Sequence, residues 1–413
     1  MLRIDPRGSF LQESRPGPPG EVWLDRRGKG LSMAAIIRTK LVDMRLKNLR
    51  DRVVRDAGVK PRRWRLVQVE SAMACNLKCV MCPWKTFRST CGRGVMEQEV
   101  WEAIRPHLPE VLSVDFTGGG EPLLQPRLVE WVTEAHAAGC ETGILTNGLL
   151  LTEERGRELI DAGMDWLCVS IDAPDKESYE AIRIGSNFEQ VCDNVAAIGR
   201  NRQDGRPKTM INFVMMRSNF HQLEEMVKLA ARLGVDQINF KQCDVVREEH
   251  GKGLGLFGGK QTREIKRMQK TLDAARAVAK KLGIKTTAFP FIPNEQPVCA
   301  QDPRDEIFVR YDGYAAPCIT LAIGGPTTFL GRDLTMPTVH YGRLPDQDLL
   351  ELWETETCRF YRDRFRDRVR IYNETIFRTL DSFRPPESVH EEAVRRMPEA
   401  PEGCKICHYL YDL

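Results

Sequence analysis

Nothing in the 413-residue sequence stays apolar for anything near the ~20 residues that cross a bilayer. The first 30 residues hold no apolar core ahead of a small-residue cleavage site. A membrane-spanning or exported chain is therefore not expected, and a cytoplasmic one is. An excess of one charge is also missing, since 61 Lys and Arg face 58 Asp and Glu. That balance carries no signature of a polyanionic partner, so nucleic acid is not implied. No internal repeat stands out beyond an alternation of strand and helix patterns. Single cores stop growing at roughly 250 to 300 residues, so the chain divides into a large domain and a smaller one.

What the sequence does have is cysteine, thirteen residues of it. In a reducing compartment these stay thiols, and clustered ones read as metal ligands or catalytic groups rather than bridges. Three crowd into "ACNLKCVMCPW": Cys75, Cys79 and Cys82.

Residues 1–32, rich in Pro, Gly and Arg without apolar periodicity, read as a disordered tail. Residues 33–65 read as a basic amphipathic helix, a solvated face more than a membrane or RNA patch. From residue 66 short apolar runs alternate with amphipathic segments, as parallel strands and crossover helices do. Six strands are expected, at 66–71, 112–117, 142–147, 166–172, 210–216 and 236–241. They predict an α/β fold, a partial (βα)6 TIM-like barrel over 66–290 with its chemistry at the C-terminal strand ends. A small α+β domain over 291–413 follows, with a hairpin turning at Asp312-Gly313 and one helix through "DQDLLELWETETCRFYRDRF".

Cys75, Cys79 and Cys82 sit at i, i+4 and i+7, which also suits the buried stripe of a core helix. Asn76, Lys78 and Pro83 argue against that, as does the position directly after a strand. Three thiolates suit a four-iron cubane that leaves one iron open to a further ligand. The Cys-x3-Cys-x2-Cys spacing after the first strand resembles the radical S-adenosylmethionine (radical SAM) superfamily. The resemblance implies a 4Fe-4S cluster on these three cysteines, S-adenosylmethionine chelated by its open iron, and reductive cleavage to a 5′-deoxyadenosyl radical. It places Met81 by the adenine, where the family usually has an aromatic residue. "TGGGEP" resembles the family's GGEP turn, so Gly119 and Gly120 would meet the methionine amino group with Glu121 nearby. Ser170, Asp172 and Arg183 match family positions near the ribose and carboxylate, and Asn147 points to the same site.

A second set comprises Cys299, Cys318, Cys404 and Cys407. On spacing alone, four such ligands favour zinc. Cys-x13-Gly-x4-Cys followed by a distant Cys-x2-Cys resembles the SPASM domain or its shorter twitch form, which implies one auxiliary 4Fe-4S cluster. The further cysteines of a complete SPASM domain are missing. Cys358 is a candidate replacement ligand, although a buried structural cysteine is the commoner case. Lys241, Cys243, Asp244 and His250 follow the sixth strand and are candidates for proton transfer or substrate contact.

The resulting expectation is an enzyme that abstracts hydrogen from a peptide side chain or small metabolite. A ferredoxin or flavodoxin would reduce it, and an auxiliary cluster would accept an electron. Residues 1–65 lack the alternating strands of a fused leader-peptide recognition domain. The alternatives are an RNA-modifying radical SAM enzyme using the basic helix, and a non-catalytic iron-sulfur carrier or binding protein.

Overall fold

The computed structural model describes residues 62–243, 253–256, 262–379 and 385–413. It also describes two antiparallel pairs of two-residue strands, Arg3–Ile4 with Phe10–Leu11 and Trp23–Leu24 with Gly30–Leu31. The rest of the expected tail and basic helix, up to residue 61, lies outside the described residues, as do Asp244 and His250. The compact unit that carries the chemistry comprises Arg62–Ser382 and His390–Leu413. No helix among the described residues is long and apolar enough to cross a membrane.

All six expected strands form. They are β1 (Trp64–Val69), β2 (Val111–Asp115), β3 (Glu141–Thr146), β4 (Trp166–Ser170), β5 (Lys208–Met215) and β6 (Gln237–Gln242). Each is parallel to the next, joined through helices α1 (Trp84–Cys91), α2 (Gln98–Ile104), α3 (Leu128–Ala137), α4 (Glu153–Asp161), α5 (Lys176–Ile182), α6 (Phe188–Asn201) and α7 (Leu223–Arg232), with α8 (Thr262–Leu282) after β6 and α12 (Pro386–Arg396) near the C-terminus. The parallel set is larger than six. A seventh strand, β7 (Lys285–Ala288), pairs with β6, and an eighth, β8 (Glu306–Val309), pairs with β1 at the opposite edge. The sheet then turns antiparallel through β9 (Tyr314–Ala316) and a short strand at Gly342–Arg343. The hairpin at Asp312-Gly313 is the β8–β9 turn, and Gly313 has φ +90°, a conformation open to glycine at little cost.

Alternation along the strands separates two environments. Ile211, Phe213 and Met215 of β5, with Ile238 and Phe240 of β6, are buried against the helices. The facing residues line a polar lumen: Gln68, Asp115, Cys168, Asn212, Asn239 and Lys241. Trp166 closes it towards the strand N-termini, lying where a Cβ on Gly143 would be, with ring atoms 2.1 Å from that position.

The long helix expected in the second domain is instead two, α10 (Leu349–Trp353) and α11 (Glu356–Thr379). Asp348 and Glu351 make a reciprocal capping box that starts α10. The Thr355 hydroxyl accepts the Cys358 amide at 3.4 Å and so restarts the helix one residue on. Apolar residues continue in helical register across the break, so periodicity alone does not reveal it.

Candidate active site

Residues 75–82 form an irregular loop rather than a helix, which removes the reading of the three cysteines as a core stripe. The loop is fixed from two sides. Lys78 and Val80 donate their amides to the carbonyls of Ile184 and Ile182 at the end of α5, at 2.9 and 3.0 Å. The Ala74 carbonyl accepts the Glu121 amide at 2.8 Å. Gly120 makes that approach possible, since a Cβ there would stand 2.3 Å from the Ala74 oxygen and 2.6 Å from that of Ala72. All three thiols are held up by burial, Cys82 to about 12, and the charges of Cys75 and Cys79 add to that of Cys82. Iron binding must therefore displace their protons.

Two buried carboxylates brace the loop. Glu121 accepts the Leu123 amide at 3.1 Å, the Thr146 hydroxyl at 2.6 Å and the Asn147 amide at 2.8 Å. The Asn147 side chain in turn donates to Asn76 Oδ1 in the cysteine loop, at 2.8 Å. Asp172 accepts Arg183 at 2.6 Å on Oδ2 and the Val214 amide at 2.6 Å on Oδ1. Burial raises both carboxyls, and their donors oppose it. Arg183 Nη1 then lies 3.7 Å from Cys79 Sγ. Burial works against its charge, but Asp172 and Cys79 more than offset this and hold it protonated. A guanidinium thus stands between a carboxylate and a prospective ligand thiolate. Ser170 faces the half-buried lumen rim and Met81 is half-buried in the loop.

The second set also converges. The Cys299 thiol is raised by burial and by the neighbouring charges of Cys318 and Cys407, and that of Cys404 by burial and by Cys299, Cys318 and Cys407. Cys318 precedes the short helix α9 (Ile319–Ile323), and Cys404 and Cys407 bracket the end of α13 (Glu402–Lys405). Among the described residues no three such side chains close tightly enough for one metal ion. Cys358 lies apart in α11, its thiol facing Arg362 and the Tyr341 hydroxyl.

A family model of the radical SAM superfamily matches residues 69–230, and one of an iron-sulfur cluster-binding domain, SPASM, matches residues 299–378. The chain belongs to the radical SAM superfamily and carries a SPASM domain. It is similar to a tungsten-containing aldehyde ferredoxin oxidoreductase cofactor-modifying protein of Pyrococcus furiosus, at 24% identity over 71% of this chain and 82% of that one. Similarity to the PqqA peptide cyclase of Bradyrhizobium diazoefficiens is 31% over 42% of this chain and 44% of the relative. Against that relative the match thus spans less than half of either chain. In structure it resembles Streptococcus suis SuiB bound to S-adenosylmethionine (TM-score 0.53, 15% identity, 75% of this chain and 70% of that one). It also resembles anSMEcpe with bound AdoMet (TM-score 0.55, 19% identity, 73% and 83%). At these identities the structural likeness speaks for the fold.

This radical SAM enzyme binds a 4Fe-4S cluster and S-adenosylmethionine in its first domain and an auxiliary iron-sulfur cluster in its SPASM domain. The donor sets described above fit both. Lys241, at the end of β6, holds its ammonium 4.7 Å from the Phe289 ring centroid, and Cys243 is buried just beyond. Cys404 and Cys407 lie beyond the SPASM match.

Sequence reasoning passed over Glu70, which ties the radical SAM and SPASM parts together. Its fully buried carboxylate accepts the Gly119 amide at 2.7 Å and the Tyr311 amide of the β8–β9 hairpin at 3.2 Å. A carboxylate directly after the last apolar residue of β1, Val69, was the available signal. Burial pushes Glu70 up to about 7, against the pull of the two amides and Arg310. The folded protein therefore holds a proton that the unfolded chain releases near pH 4.5, and stability falls as pH rises between these values. The group's share is about 3 kcal/mol, fully present below pH 4.5 and lost once the pH has risen through about 7. Urea unfolding across pH 4.5–8 should show this slope flattened in Glu70→Gln; an unaltered slope would remove Glu70 as its source.

Proposed function

We propose that this radical SAM enzyme abstracts hydrogen from a peptide side chain or a small metabolite. In this reading Cys299, Cys318, Cys404 and Cys407 would hold an auxiliary cluster that would serve as electron acceptor, and a ferredoxin or flavodoxin type of protein would supply the reducing electron. The observation that carries the reading is the juxtaposition of a three-thiol loop with the Arg183–Asp172 pair and the glycine turn, in a chain with a second, four-thiol set. When bound, the first cluster and S-adenosylmethionine supply the 5′-deoxyadenosyl radical.

The chain's own residues prepare that site. Cys75, Cys79 and Cys82 would hold the cluster, and Cys299, Cys318, Cys404 and Cys407 the auxiliary one. Gly119 and Gly120 would present backbone to the methionine amino group of bound S-adenosylmethionine, Met81 would lie by its adenine and Ser170 near its ribose, with Asn147 pointing to the same site. Glu121 and Asp172 have their carboxylate oxygens engaged by protein donors, so they act as positioning residues. Arg183 offsets the thiolate charge at Cys79 and fixes one wall of the site. Lys241, Cys243 and Asp244 are the candidates for moving a proton to or from substrate at the β6 end. Four thiolates at the auxiliary site leave no open position, which suits electron transfer over substrate ligation. The relatives' descriptions, a peptide cyclase and a cofactor-modifying protein, support a peptide or cofactor-like substrate.

Anaerobic reconstitution, followed by S-adenosylmethionine and a strong reductant, should yield 5′-deoxyadenosine. Fractionated extract of the source cells should stimulate it through the fraction holding the substrate. Iron-replete protein that forms none, with or without extract, would favour a carrier or binding role.

A further inference from the structure

The polar lumen contains a hydrogen-bonding imbalance at one end. Its β5–β7 side satisfies itself. The Asn239 amide donates to Asn212 Oδ1 at 2.9 Å, and Asn239 Oδ1 accepts Gln237 and the Thr287 hydroxyl, each at 2.7 Å. The β1–β2 side does not. Gln68 and Asp115 are register partners on these adjacent strands. Gln68 donates its amide to the Thr117 carbonyl at 3.0 Å, which leaves its Oε1 buried with no hydrogen-bond partner. Asp115 receives the Thr117 hydroxyl and amide, while its Oδ1 is likewise buried and unpartnered. Gln68 is 8% exposed. Two acceptor oxygens therefore sit on neighbouring strands with no donor to share.

Buried acceptors are nearly always satisfied, so with no protein donor on these two oxygens the partner is either water or an N–H group that a ligand brings. An ammonium offers three N–H donors and a charge that complements a carboxylate. Asp115 lies four residues before Gly119, so this end of the lumen is beneath the turn assigned to S-adenosylmethionine. Across the lumen the Cys168 thiol feels the charges of both Lys241 and Asp115, the first lowering its pKa and the second raising it.

We propose that Asp115 Oδ1 and Gln68 Oε1 form a substrate subsite that takes a primary ammonium or a comparably N–H-rich group. The proposal rests on reading the barrel as the site of radical chemistry, and it narrows the substrate to an amine-bearing one. Asp115 would be a specificity-determining residue, with Gln68 as its second acceptor.

The test is calorimetric titration of the anaerobically reconstituted enzyme, with saturating S-adenosylmethionine at pH 8, using n-butylamine and n-butanol as probes. The amine should bind at least about tenfold more tightly than the alcohol, as expected when a charged donor meets a desolvated carboxylate. Asp115→Asn should bring it down to the alcohol's level, and Gln68→Glu should tighten amine binding several-fold. The second variant gains affinity, so a misfolded protein cannot imitate it. Equal binding of the two probes, or amine affinity unchanged in Asp115→Asn, would overturn the proposal and leave the two oxygens to ordinary hydration. If the wild-type enzyme binds amine selectively yet forms no 5′-deoxyadenosine, the subsite stands and the radical reading falls.

Discussion

Cys79→Ala is expected to abolish 5′-deoxyadenosine formation and to halve the iron content, from about eight to about four per chain. The variant removes one of three thiolates in a loop that supplies no fourth, so the remaining two cannot retain a cubane. It should do this without unfolding the barrel. The Asp172–Arg183 pair, the Glu121 bonds and the Ala74–Glu121 contact all survive the loss of one sulfur, and only the 3.7 Å approach of Arg183 to Cys79 disappears. The expected outcome is thus a folded protein with a melting temperature within a few degrees of wild type and one intact cluster. Wild-type turnover in this variant would sink the assignment of the loop.

Arg368→Met should have the complementary effect. Arg368 on α11 is almost fully buried, at 1% exposure, and its guanidinium joins two segments distant in sequence. It donates to the carbonyls of Pro297 at 3.1 Å, Gln296 at 3.0 Å and Pro398 at 2.6 Å, and pairs with Glu295 at 2.7 Å. The first segment leads into Cys299 and the second into Cys404. Methionine fills the stem's volume but leaves three carbonyls and a carboxylate without their donor, a loss of about 3–5 kcal/mol. Thermal unfolding should report that loss, and iron should fall towards about four per chain as the auxiliary cluster fails to assemble. Formation of 5′-deoxyadenosine in the absence of substrate should continue, since this variant leaves the first loop untouched. Unchanged stability and unchanged iron would show that the auxiliary thiols are placed without this anchor.

The parts of the fold legible in sequence are those where one period dominates. The six strands of the barrel carry apolar runs because helices cover one face completely. Lys285–Ala288 does not: its "KTTA" is polar and partly exposed, so β7 offers no hydrophobic signal. β8 is apolar, but its place at the far edge, beside β1, depends on a pairing over some 240 residues that no local pattern encodes. The cysteine sets were legible because several thiols clustered at fixed spacing have few uses besides metal ligation. Asp115 and Gln68 were not, since each is a single polar residue in an ordinary strand and their meaning arises only from being adjacent. Arg368 likewise sits in "RFRDRVRIY" among arginines that face water, and only burial distinguishes it.

The pairing of β8 with β1 makes the SPASM domain part of the barrel's own sheet, through Glu306↔Leu66 to Val309↔Val69. Ending the chain near residue 290 would therefore not release a free-standing barrel. It would bare the backbone edge of β1, a row of unpaired amides and carbonyls of the kind that templates edge-to-edge aggregation. The two halves are coupled as folding partners through this shared edge.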